Sequence, residues 1–153
     1  MKITPNPVKQ LKYIPKIWST ILYFILVGVV LIVFAARKFD SLRFDILNNL
    51  FPDYYQHISN FSISFMLILV SGYTAVLVNK SLKVTYIYAL ILIAVNVIYE
   101  LFLPFINTMD IIDAYYGIVG SLMPFLYLIP YQRHGVKINP NYISLNSTKN
   151  PVI

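Results

Sequence analysis

Four apolar stretches, at about residues 17–36, 58–77, 84–103 and 111–131, follow one another along the chain with polar segments between them. A hydrocarbon core roughly 30 Å thick needs about 20 apolar residues of helix, and each stretch meets that length. Many residues in the stretches are β-branched or aromatic, which propensity scales for soluble proteins read as strand. In lipid the backbone must satisfy its own hydrogen bonds, so helix wins for segments this long. The first stretch exceeds the roughly 7–15 residues of a signal-peptide core, and Phe34-Ala35-Ala36 before Arg37-Lys38 is no A-x-A cleavage site. It reads as a retained helix. The pattern predicts an all-α integral membrane protein, with four transmembrane helices in one antiparallel bundle spanning residues 17–131.

Composition excludes the alternatives. The chain has 153 residues, 58% hydrophobic and 12% charged, with a mean hydropathy of +0.69. A soluble globule with so few charges could not cover its surface, and soluble disorder fails for the same reason. With no cysteine there are no disulfides, thiol chemistry or thiolate metal sites, and His57 and His134 are too few for a histidine-only metal site. No metal and no cofactor are expected.

The net charge of +6 raises the question of nucleic acid, but the hydropathy assigns the basic residues to a membrane surface and no nucleic-acid partner is expected. Lys2, Lys9, Lys12, Lys16, Lys80, Lys83, Arg133, Lys137 and Lys149 fall on one side of the four spans, and Arg37, Lys38 and Arg43 on the other. Nine against three predicts that both termini are cytoplasmic. All six acids, Asp40, Asp45, Asp53, Glu100, Asp110 and Asp113, then fall toward the outer face. Residues 1–16, with three prolines among lysines, read as a basic segment lying on the anionic leaflet without a stable fold. Residues 132–153 read as a polar cytoplasmic tail.

The candidate chemistry gathers at the outer rim: His57, Glu100, Asp110 and Asp113, with Asp53, Asn96 and Asn107 nearby. A carboxylate within hydrocarbon costs several kcal/mol unless it faces a partner or water, so Glu100 should point inward. Asp110, Asp113, Gly117 and Gly120 share one helix face, with carboxylates at the outer end and packing glycines deeper. Three uses of these residues remain open: helix capping, binding of a cationic or hydroxyl-rich headgroup or a divalent ion, and acid–base chemistry. An interfacial belt accounts for most tyrosines, including Tyr54, Tyr55, Tyr127 and Tyr131. Tyr115 and Tyr116 are also candidates for stacking a sugar.

Glu100 followed by Pro104, then Asp110-x-x-Asp113-x-x-x-Gly117-x-x-Gly120, resembles the most recognisable stretch of VanZ-like membrane proteins. Asp53-Tyr54-Tyr55-Gln56-His57 with Phe61 one turn later is similar to that family's approach to the preceding span. The likeness covers roughly residues 50–125. Tyr54 stands where the family usually has lysine, Gly117 where it usually has asparagine, and Asn107 is the nearest substitute for the family's Gln and Arg. The resemblance implies a small polytopic protein of the bacterial plasma membrane with a role at the cell surface or in antibiotic resistance.

The expected function is binding of an envelope lipid, glycolipid or glycopeptide group by Glu100, Asp110, Asp113, His57, Asn107 and Asp53. Membrane lipids are the expected partners. The alternatives are an accessory subunit of a larger membrane complex, with a membrane-protein partner, and a hydrolase or transferase acting on a lipid-linked substrate. For an enzyme, neither a nucleophile nor a metal is identifiable.

Overall fold

The computed structural model describes residues 11–51, 54–102 and 110–142, so Asp53 and Asn107 lie outside the described residues. Among the described residues the chain is mostly helical, and four helices are long and apolar enough to cross a membrane. Helix α1 runs over Ile17–Ala35 and carries no charge. A 3-10 turn at Asp40–Leu42 and the short helix α2 at Asp45–Leu50 follow it.

Helix α3 spans Tyr54–Asn79, 26 residues. That is roughly 39 Å at the helical rise, so its ends project beyond a hydrocarbon core of about 30 Å. It therefore begins before the apolar stretch does, and His57 sits inside its first two turns. Lys80, with φ 55°, ends α3 in the left-handed region. Asn79 then accepts from the Ser81 amide at 3.0 Å, closing the tight turn into α4 at Lys83–Phe102.

The fourth span is helical over Ile111–Gly135, but its hydrogen-bond ladder is interrupted. Helix α5 covers Ile111–Leu122, and α6 resumes at Phe125–Pro130. Pro124, at the break, has no amide proton to return to the preceding turn. Pro130 repeats the defect, and Tyr131–Gly135 winds as a π turn immediately after it. The carbonyl deprived of a donor at Pro124 is that of Gly120; one turn earlier the Ser121 hydroxyl back-bonds to the Gly117 carbonyl at 2.8 Å.

Helix α3 is the hub, packed against α1, α4, α5 and α6. Its buried residues Phe65, Ile68, Leu69 and Val76 meet Leu82 and Leu128 in the core. Tyr127 and Tyr131 belong to that core and not to an interfacial belt. Both are buried, Tyr131 stacks on Tyr73 with centroids 4.8 Å apart, and the Tyr127 hydroxyl donates to the Ser19 carbonyl at 2.8 Å. The Tyr127 tip reaches backbone, which lets an amphipathic side chain go inside, and the Tyr131 ring is held by stacking. Ile21, Phe24 and Ile25 on α1, and Ile87, Leu90 and Ile91 on α4, stay exposed as an apolar exterior.

The described residues of the two terminal segments pair with each other, where the sequence reads as a basic segment without a stable fold and a polar tail. Strand β1, Tyr13–Pro15, pairs antiparallel with β2, Val136–Ile138. The Lys16 amide donates to the Gly135 carbonyl at 2.7 Å, and buried Asn139 donates through Nδ2 to the Leu11 carbonyl at 2.8 Å. Chain leaving the first and fourth spans side by side has backbone groups to satisfy, and each segment satisfies the other. Gln132 donates to the Lys80 carbonyl at 3.0 Å, which puts the α3–α4 turn at the same end.

Candidate functional site

The opposite end is polar. Asp110 is the N-cap of α5: its Oδ1 accepts from the Ile112 amide at 2.9 Å. Asp113 occupies the first turn, where a helix N-terminus favours negative charge. Across from them α3 presents His57, whose Nδ1 lies 3.0 Å from Asp113 Oδ1 and 3.4 Å from Asp110 Oδ2. The imidazole is 12% exposed and the carboxylates 34% and 25%. The trio is thus sheltered yet open to one side. Tyr116 flanks the imidazole, with ring centroids 5.6 Å apart.

The first loop closes the site. A cavity of about 490 Å³ is lined by Arg37, Arg43, Tyr55, Gln56, His57, Asp110 and Asp113. Arg37 donates to the Ser59 hydroxyl. Arg43 lies over the Tyr55 ring at 5.1 Å, donates to the Ala36 carbonyl at 3.1 Å, and pairs with the exposed Asp40 at 2.9 Å. Two guanidinium groups therefore stand in the wall of the same cavity as two carboxylates.

The structure brings His57, Asp110 and Asp113 together and sets Glu100 apart. Glu100 is 2% exposed, accepts from Asn60 Nδ2 at 3.0 Å, and does not line the cavity. Below it Asn96 donates to the Ser64 hydroxyl of the neighbouring helix at 3.1 Å and to the Leu92 carbonyl of its own at 2.9 Å. His57, Asn60 and Ser64 are spaced 3 and 4 along α3, so one face carries a polar stripe down from the cavity. Gly117 and Gly120 make the close approach possible. A Cβ at Gly117 would stand 2.4 Å from Asn96 Cγ, and one at Gly120 only 2.3 Å from the Phe61 carbonyl oxygen.

Arg37, Arg43 and Asn60 are site neighbours that the motifs do not mark. Asn60 falls three residues after His57, and the two arginines are among the few basic residues placed on the outer side. Tyr115 is exposed and lines no part of the cavity.

His57, Asp110 and Asp113 offer donor atoms within 4.8 Å of one another, a set able to hold a divalent ion with water completing the shell. The 3.0 Å separation of Nδ1 from Asp113 Oδ1 is that of a hydrogen bond between the side chains, and Asp110 Oδ2 lies farther off at 3.4 Å. No family model, curated protein or solved structure matches this chain.

Proposed function

We propose that this multi-pass protein resides in the bacterial plasma membrane and binds the polar headgroup of an envelope lipid or glycolipid in the cavity around His57, Asp110 and Asp113. The observation that carries this reading is the cavity itself. It has the volume of a small-molecule site, about 300–1,000 Å³, a charged lining, and a position at one end of four apolar helices. A headgroup lies at that level when the acyl chains lie along the helices. The likeness of residues 50–125 to the VanZ-like pattern supports a place in the cell envelope.

The charge bias supports a cavity that faces outward, with both termini and the Lys80 turn on the cytoplasmic side. The native chain has no cysteine, so single cysteines report cleanly. Asp40→Cys in intact cells should react with an impermeant maleimide and Lys80→Cys should not. The reverse pattern would put the cavity on the inner leaflet.

Binding is tested on protein purified in mild detergent and examined by native mass spectrometry. The protein should retain an envelope lipid, and Asp113→Asn should lower the retained fraction about tenfold, the scale of one charge-assisted contact. Purified protein that carries no lipid and takes up none from a membrane extract would end this reading.

A further inference from the structure

The cavity wall carries charge of both signs on separate elements. Arg37 and Arg43 come from the chain after α1, and Asp110 and Asp113 from the start of α5, with His57 of α3 against the carboxylates. Arg43 is balanced by Asp40 outside the cavity, whereas Arg37 forms no ion pair among the described residues. An occupant with a phosphate alone would meet two carboxylates. A purely cationic one would meet two guanidinium groups. Only a group with both charges a few bonds apart finds an opposite charge on each wall, and mismatched juxtaposition is what such a site rejects.

We infer that the headgroup is zwitterionic, a phosphate joined to a primary ammonium as in phosphoethanolamine, with Arg37 and Arg43 facing the phosphate and Asp110 and Asp113 facing the ammonium. This rests on the lipid-headgroup reading above. Guanidinium forks match phosphate oxygens in pairs. A primary ammonium brings three N–H donors to carboxylates that only accept, whereas a quaternary ammonium brings none. The aromatic face that would suit a quaternary group, Tyr55, is already covered by Arg43. An apolar groove of about 370 Å³ lined by Val30, Val33, Tyr54, Phe61 and Phe65, among others, gives an acyl chain its course. Tyr54 of the groove and Tyr55 of the cavity wall are neighbours, with ring centroids 5.2 Å apart.

The test gives detergent-solubilised protein equimolar phosphatidylethanolamine, phosphatidylglycerol and phosphatidylcholine with identical acyl chains, and reads bound lipid by native mass spectrometry. Phosphatidylethanolamine should be retained about tenfold over each of the others. Asp113→Asn should narrow its lead over phosphatidylglycerol, and Arg37→Gln should lower retention of both together. Arg37 is exposed, so its variant remains informative if Asp113→Asn folds poorly. Equal retention of the three lipids, or a preference for phosphatidylglycerol or phosphatidylcholine, overturns the inference and leaves lipid binding standing. Retention of none removes both.

Discussion

Gly120→Leu should yield almost no folded protein, and Gly120→Ala should lower stability by about 1–3 kcal/mol or more, the range for overpacking a filled interior. The reason is the identity of the atom in the way. A Cβ at this position meets the Phe61 carbonyl oxygen at 2.3 Å and Phe61 Cα at 2.9 Å. These are backbone atoms of the hub helix, and no rotamer change removes them. Helices α3 and α5 would have to separate, loosening the seam that also holds His57 against Asp113. Gly117→Ala is the informative contrast, because its added methyl meets only the Asn96 side-chain amide. That amide can rotate at the expense of its bond to Ser64. Unfolding in detergent, followed by loss of helicity, should rank the three variants with Gly120→Leu worst and Gly117→Ala mildest. Wild-type stability in Gly120→Ala would mean that α3 and α5 do not meet at this point.

Asn60→Leu should cost about 1.5–3 kcal/mol, the worth of a hydrogen bond to a charged group. Asn60 donates to Glu100, a carboxylate 2% exposed and surrounded by apolar spans. Such a group tolerates its position only while donors face it. Glu100→Gln keeps an oxygen for Asn60 and removes the charge, so membrane insertion and melting should stay close to wild type. Adding Glu100→Leu to Asn60→Leu should recover part of the loss, because no carboxylate is then left without its Asn60 donor. A double-mutant cycle of unfolding free energies measures this coupling. Strictly additive losses would show that Asn60 does not stabilise Glu100.

Much of the fold is legible because a membrane leaves the backbone few options. Four stretches long enough to cross could be read as helices from length alone, although their β-branched content favours strand in water. The defect in the fourth span has a visible cause in Pro124, which cannot donate to the Gly120 carbonyl, and hydropathy carries none of that. The terminal ribbon was hidden for a different reason. Tyr13–Pro15 and Val136–Ile138 are too short to announce themselves as strands, and each exists because the other lies beside it.

In the site, His57, Asp110 and Asp113 were legible together because each begins a span at the same end. Glu100 belongs to that depth in sequence, yet one helical turn decides its partner: facing Asn60, it is walled off from the cavity. Arg37 and Arg43 escaped notice because they lie where the chain has no periodicity. Their direction is fixed by Ser59, Tyr55 and the Ala36 carbonyl, contacts that no spacing encodes.

The pairing of Tyr13–Pro15 with Val136–Ile138 also sets an order of events during biosynthesis. A ribosome delivers the early strand first and its mate only after every span has been made. Until then the leading helix is held to the nascent bundle by α3 and by the Tyr127 hydroxyl at Ser19, and its strand has no mate. The clasp is therefore the closing act of assembly, and a chain halted before Val136 leaves its own beginning without a seat.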